Sequence, residues 1–282
     1  MWPARSYPAS FPRPVLCPRL DAPIVLAHGL FGFRRIGWGP VTLAWYFRGI
    51  PAVLEAAGNR VLMTRVHPTA GVRRRAWKLG RDIQAAFPDE PVHLVGHSMG
   101  GLDARALAAD PAWSGRILSV TTIGTPHLGS AIADFAKLRV GRIYGVLERL
   151  GIDHRGFLDL SPAAMAEFNR RTHLPAGVSA FSVAGEPAPE DVCWPLRRLH
   201  DALDELEGPN DGLVSVRSAT AFGQPLPSWP LDHFQQMNWL AAPAAPGRTA
   251  DRVIRLYAEV VANLASVGFG TRELALVGRE SA

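Results

Sequence analysis

The sequence is short of the features that mark most specialised protein classes. Among 282 residues there are only two cysteines, Cys17 and Cys193. Neither stands in a C-x-x-C or a metal-ligand spacing, so no disulfide framework is expected and a single bridge is merely allowed. Long apolar runs are also missing. The longest charge-free stretch of consequence, Ile117 to Ala133, contains Gly124, Pro126, His127 and Gly129, which a spanning helix of about 20 apolar residues would not. The N-terminus, Met1-Trp2-Pro3-Ala4-Arg5-Ser6-Tyr7-Pro8, has no apolar h-region. A cytoplasmic location is the default expectation, with secretion left open. No repeat with a period of about 20–50 residues is visible. Charged residues make up 20% against 48% hydrophobic, which excludes a disordered chain and leaves room for a large core. The excess of 30 Lys plus Arg over 25 Asp plus Glu is too slight to argue for a nucleic-acid partner. Its densest cluster, Arg73-Arg74-Arg75, lies among Val72, Ala76, Leu79 and Ile83 at helical spacing and reads as a solvated helix face.

What is present is organised around Pro91-Val92-His93-Leu94-Val95-Gly96-His97-Ser98-Met99-Gly100-Gly101. Val92, Leu94 and Val95 suit a buried parallel strand, and the residues from Leu102 to Ala109 are good helix formers. Between them stands Gly96-x-Ser98-x-Gly100. A serine at a sharp strand-to-helix turn needs small residues two before and two after it, so that strand and helix can approach. The turn lifts the Ser98 hydroxyl from the carboxyl edge of a sheet and sets a helix N-terminus beneath it, as a nucleophile requires.

The flanking chain alternates strand and helix. Residues 1 to 23 carry six prolines and read as an extended surface arm. Ile24 to Ala27 is the first buried strand, and it runs into His28-Gly29-Leu30-Phe31-Gly32-Phe33. Trp45 to Ala57 reads as a helix, Arg60 to Val66 as a strand and Gly71 to Phe87 as a helix. This order predicts a mostly parallel sheet with right-handed crossovers and helices on both faces. Ile117 to Ile123 is a further strand, ending in Gly124-Thr125-Pro126-His127-Leu128-Gly129-Ser130. Residues 131 to 152 show an amphipathic pattern suited to a lid or cap, extending with the helix at Ala163 to Thr172 to about residue 175. Val178 to Ala184 reads as a strand, residues 185 to 209 as loop-rich, and residues 249 to 266 as a final helix. One domain over 24 to 270 is expected, with 271 to 282 as a tail.

Acyl transfer to a serine needs a base, an acid to orient it and two backbone N–H groups for the developing oxyanion. Met99 follows the nucleophile and offers one N–H; Leu30, after Gly29, offers the other. Asp211, in the turn Asn210-Asp211-Gly212-Leu213-Val214, is the candidate acid, and His233, in Leu231-Asp232-His233-Phe234, the candidate base. The chain order Ser98, Asp211, His233 is that of α/β-hydrolases. His28 and His127 read as loop-packing residues.

Together these segments, with Gly49-Ile50-Pro51 and Phe168-Asn169, resemble the true triacylglycerol lipases of Gram-negative bacteria and their lipase-like relatives in the α/β-hydrolase superfamily. The likeness covers roughly residues 24 to 240. It implies an α/β-hydrolase fold, Ser98, Asp211 and His233 as triad, Leu30 and Met99 as oxyanion donors, and an amphipathic lid after Ser130. Two departures stand out. The family binds calcium through an aspartate two residues after the histidine, where this chain has Gln235, so no cofactor is expected. Hydrogen bonds from Gln235, Gln236 or Asn238 are expected to hold the histidine loop instead, and Asp201, Asp204, Glu205 and Glu207 read as a solvated helix face. The family's disulfide spacing is not reproduced by Cys17 and Cys193.

The expected activity is serine-dependent hydrolysis of hydrophobic carboxylic esters, the partner being a small-molecule or lipid ester. Trp45, Trp194, Trp229 and Trp239 serve an apolar site or the core. Polyester chains are admitted by such a site, though no motif specifies them. A thioesterase or acyltransferase would use the same triad, and a non-catalytic binding protein on the same fold is the reading from another class.

Overall fold

The computed structural model describes residues 15–30, 35–38, 41–130, 155–239 and 246–277. The strands are β1 (Val15–Leu20), β2 (Ile24–Ala27), β3 (Arg35–Trp38), β4 (Val41–Trp45), β5 (Val61–Met63), β6 (Val92–His97), β7 (Ile117–Ile123), β8 (Ser179–Val183), β9 (Gln224–Pro225) and β10 (Gly270–Val277). The helices are α1 (Ile50–Ala56), α2 (Val72–Ala86), α3 (Met99–Ala108), α4 (Arg155–Asp159), α5 (Pro162–Arg171), α6 (Arg197–Glu207), α7 (Val216–Ala219) and α8 (Pro246–Leu264).

Six strands form one sheet in the order β5-β2-β6-β7-β8-β9, and every pairing within it is parallel. Alternation along each strand divides the core between two faces. Ile24, Leu26, Val95, Ile123 and Val183 point to one, where α1 and α8 cover them with Ile50, Val53, Leu54, Val253, Tyr257 and Val261. Val25, Ala27, Leu94 and Val120 point to the other, against Ala76, Leu79 and Ile83 of α2 and Ala104 and Leu107 of α3. The chain leaves β2 toward β5 at one edge and leaves β6 toward β7 on the opposite side. That reversal opens a crevice between the loops after β2 and β6, where ligands of open α/β sheets bind.

The sequence reading needs correction at several places. The helix expected from Trp45 begins at Ile50, and Trp45 ends a strand paired with β3. Gly49 is left-handed at φ 76° and Pro51 sits in the first turn, so the helix cannot extend backwards. Residues 185 to 209 contain the helix α6, which buries His200 and Leu203 and exposes Asp201, Asp204 and Glu205. The last part of the proline-rich arm is the strand β1, antiparallel to β10 in the segment read as a tail, and Val15, Cys17 and Leu20 join the core. Cys17 and Cys193 are separate buried free thiols. Residues 131 to 152 lie outside the described residues.

The arginine cluster is not uniformly solvated: Arg73 and Arg74 are exposed, whereas Arg75 is fully buried. Its guanidinium donates from Nε to Asp103 Oδ2 on α3 (2.9 Å), from Nη1 to His67 O after β5 (2.8 Å), and from Nη2 to His28 O (2.5 Å) and Gly29 O (3.3 Å) after β2. Burial pushes the Asp103 carboxyl up to about 6, with Arg75 opposing. His28 completes the tie. Its Nδ1–H donates to Gly29 O (3.0 Å) and its Nε2 accepts from Val66 N–H (3.4 Å), so the ring must be neutral. Burial, then the Arg75 charge, lowers it from 6.5 to about 4.

This shift predicts a pH dependence. Between about 4 and 6.5 the unfolded chain protonates His28 and the folded chain does not, so stability rises with pH there and is lost as pH falls through the window. The loss from this one group is roughly 3 kcal/mol. Urea unfolding of wild type and His28→Gln from pH 4 to 7 should show a shallower slope in the variant; equal slopes would show that His28 is not the group responsible.

Candidate active site

Ser98 stands between β6 and α3 with φ 56° and ψ −131°. A non-glycine residue in that region is strained and persists only where its surroundings hold it. Here Ser98 N–H donates to Ile123 O (2.9 Å) and Thr125 Oγ1–H donates to Ser98 O (2.9 Å). The flanking glycines are required by close approach. A Cβ on Gly96 would lie 2.5 Å from Gly100 O, and one on Gly100 would overlap the Ala27 carbonyl. Both strand-to-helix contacts of the expected elbow are therefore present, and the Ser98 side chain is half-buried above them.

The loop after β2 lies against Ser98. A Cβ added to Gly29 would sit 3.1 Å from Ser98 Oγ. Gly29 N–H donates to Tyr46 Oη (2.9 Å), and Gly29 O is taken by His28 and Arg75. The peptide joining Gly29 to Leu30 is planar and trans, so pinning its carbonyl turns the Leu30 N–H the opposite way. Leu30 packs with Val72, Met99, Leu102 and Met165, which seats this loop on α2, α3 and α5. The helix pair α4–α5 closes the same corner, since Asp159 Oδ2 accepts Val72 N–H (2.7 Å) at the start of α2.

Asp211 is buried in its turn, and four donors saturate its carboxylate. Oδ1 accepts Leu213 N–H (3.0 Å) and Val214 N–H (2.8 Å). Oδ2 accepts His233 Nδ1–H and Gln236 Nε2–H, each at 2.8 Å. His233 N–H also donates to Asp211 O (2.9 Å), so backbone and ring are fixed to the same residue. With Nδ1 engaged, Nε2 is left as the proton-accepting atom of the imidazole. The His233 ring centroid lies 4.7 Å from that of His97, the residue preceding Ser98, which sets the candidate base beside the elbow.

Neutral side chains and one aspartate brace the histidine loop. Asp232 Oδ1 accepts Phe234 N–H and Gln235 N–H (both 2.9 Å), while its Oδ2 accepts Cys193 N–H (2.7 Å). Gln235 Oε1 accepts Asp232 N–H (3.1 Å) and its Nε2–H donates to Asp191 O (2.7 Å). Asn238 Nδ2–H reaches Arg48 O (2.9 Å). His127 is a buried packing residue, held by Arg105 Nη1 (2.9 Å) and Thr122 Oγ1 (3.0 Å). The tryptophans divide: Trp229 is core, Trp239 is partly buried against Tyr46 and Trp194 is 81% exposed.

Sequence reasoning missed Arg75, Asp103, Tyr46 and His97. Arg75 had a signal, because it shares the helical face of Val72 and Leu79, and so had Asp103, a lone acid among the apolar residues of the elbow helix. Tyr46 had none. Its hydroxyl is brought to the site by the strand β4, which the pattern concealed.

The family model described as the alpha/beta hydrolase fold matches residues 76–159. Triacylglycerol lipase 2 of Saccharomyces cerevisiae is 30% identical over 209 residues, 69% of this chain and 62% of the yeast protein; the chain thus spans less than two thirds of that relative. The triacylglycerol lipase of Pseudomonas fragi is 28% identical over 296 residues, covering 87% of this chain and 97% of its own. The crystal structure of Staphylococcus hyicus lipase superposes with a TM-score of 0.65 at 16% identity, over 86% of this chain and 95% of that one, a likeness of fold. With the strained serine elbow and the parallel sheet already in place, these relationships show that the chain has the α/β-hydrolase fold and is similar to triacylglycerol lipases.

Proposed function

We propose that the chain is a serine-dependent carboxylic ester hydrolase acting on hydrophobic acyl esters through an acyl-serine intermediate. The observation that carries this reading is the buried Asp211 Oδ2 to His233 Nδ1 contact of 2.8 Å beside the Ser98 elbow. That contact fixes the tautomer a general base needs. Lipase relatives support the ester class.

In the proposed reaction Ser98 Oγ attacks the ester carbonyl while His233 Nε2 takes its proton. The tetrahedral oxygen sits between the N–H groups of Leu30 and Met99, and Asp211 balances the imidazolium. Collapse expels the alcohol, which receives the proton from His233. Water, deprotonated by the same nitrogen, then attacks the acyl-serine, and the second collapse returns Ser98 and releases the acid.

Calcium has no part in this proposal. Gln235 occupies the position where the resemblance would put a calcium-binding aspartate, and both of its amide atoms are spent on Asp232 and Asp191. Asp232 has its oxygens on three backbone N–H groups. Asp191, whose carbonyl holds Gln235, adds one buried carboxylate oxygen without a partner, Oδ1, well short of the 6–8 ligands calcium takes.

Three outcomes test the reading. Ser98→Ala should lose turnover of p-nitrophenyl acyl esters by about 10⁶-fold and its fluorophosphonate labelling, with an unchanged melting temperature. Retention of more than about a tenth of wild-type kcat would reject the nucleophile. Asp211→Asn should fold and lose on the order of 10⁴-fold in kcat, because the imidazole tautomer is no longer fixed; a mild loss would mean that another acid serves His233. Dialysis against EDTA should leave activity and melting temperature as they were, and a large fall in either, reversed by added calcium, would contradict the metal-free proposal.

A further inference from the structure

We propose that Tyr46, His97 and Gln236 form one directed hydrogen-bond chain that positions the oxyanion loop and the triad acid relative to each other. The role rests on the hydrolase reading above. All three side chains are buried. Gly29 N–H donates to Tyr46 Oη (2.9 Å), and the Tyr46 hydroxyl and His97 Nδ1 are 2.8 Å apart. His97 Nε2 and Gln236 Oε1 are 3.1 Å apart, and Gln236 Nε2–H donates to Asp211 Oδ2 (2.8 Å).

Donor and acceptor chemistry fixes every direction along this chain. Asp211 only accepts, so Gln236 must present its NH₂ there and its carbonyl to His97. The carbonyl only accepts, so His97 carries its proton on Nε2. Its Nδ1 is then an acceptor and takes the Tyr46 O–H, whose oxygen is free to receive Gly29 N–H. One arrangement satisfies all five groups, and it ends on the residue before the Leu30 N–H. The Tyr46 ring is wedged against Phe47, His28 and Trp239 at centroid distances of 5.0, 5.5 and 5.7 Å, so the hydroxyl has little room to swing.

Two consequences follow for the reaction. A shift of Asp211 or Gln236 is passed to the loop that holds the oxyanion donor, and a misplacement of about 1 Å there costs about 100-fold in rate. The chain also holds His97 in one neutral tautomer. Its ring lies 4.7 Å from His233, where a second cation would oppose the imidazolium. Tyr46, His97 and Gln236 are thus positioning residues.

The groups facing His233 decide the pH effect. They are Asp211 from the acid turn and His97 from the end of β6, with Tyr46 beyond His97; the oxygens of the neighbouring Asp232 are turned to backbone amides. Removing the Gln236 donor leaves Asp211 with one partner fewer and its charge concentrated on His233, which favours the imidazolium.

Tyr46→Phe and Gln236→Met should each lower kcat about 10- to 100-fold with KM within about twofold. The double variant should fall no further than the worse single one, because the chain is already broken. In Gln236→Met the acid limb of kcat/KM should move to higher pH. Gln236→Leu, which likewise has no polar atom to offer Asp211 or His97, should do the same and serves if the methionine variant fails to fold. Wild-type kcat in these variants, or additive losses with an unmoved acid limb, would overturn the chain. Fluorophosphonate labelling separates the two levels. An unlabelled wild type sinks the hydrolase reading and this role with it, whereas a labelled wild type with indifferent variants sinks the chain alone.

Discussion

The buried guanidinium of Arg75 is the constraint on which the site depends. Taking such a charge out of water costs several kcal/mol even after relaxation, and here the return is geometric. Its donors are distributed over α3 through Asp103, over the loop after β5 through His67, and over the loop after β2 through His28 and Gly29. A lysine could not span these partners, because its three donors radiate from one point whereas the guanidinium fork is planar and wide. The charge also lies against the carbonyl of the very peptide that carries the Leu30 N–H, so it both orients and polarises that donor. His28 shares the carbonyl, and it must remain neutral to do so beside a fixed cation.

Strain at Ser98 is the complementary constraint. A residue held at positive φ costs of order 1–3 kcal/mol, and the surroundings offset this with one hydrogen bond to each side of its backbone. Tightness does the rest: β6 and α3 approach until Gly96 meets Gly100, and Gly100 meets the end of β2. The same contacts that force the serine out of ordinary backbone geometry bring the β2 loop to it. Ser98 and the loop after β2 are therefore placed by one act of packing.

How much of this could be read from the sequence depended on where each partner lay. The strands β2 and β6 were legible because residues buried on both faces are apolar throughout, and the elbow because its glycines sit two residues to either side of Ser98. Asp211 and His233 were legible from chain order and turn chemistry, and the structure joins their side chains. The pairing of β1 with β10 was not, because its two strands come from opposite ends of the chain and prolines dominate one of them. Arg75 was misread because two of three adjacent arginines are solvated and composition hides the third. The strand ending at Trp45 was taken into a helix, since Phe47, Ile50, Val53 and Leu54 share a helical phase that begins before the helix does; Gly49 and Pro51 held the contrary signal. The histidine loop was anticipated as a neutral network, yet the reach of Gln236 to both Asp211 and His97 required coordinates.

Charge is what unites these parts. Around the elbow the described interior holds Arg75, matched by Asp103, on the β2 loop side, and on the acid side Asp211, saturated by four donors, with Asp232 turned to three backbone amides. Between them run only neutral groups: Gly29, Tyr46, His97 and Gln236. Burial, reinforced by the proximity of His233, lowers His97 well below the ordinary histidine range, so the bridge carries no charge of its own. The proposed ester hydrolysis would create an oxyanion at the Leu30 end and an imidazolium at the Asp211 end. The resting site already presents positive charge to the first and negative charge to the second, with a neutral, oriented spacer keeping the two from discharging into each other. Such preorganisation is effective because the dipoles need not reorient when the charges appear.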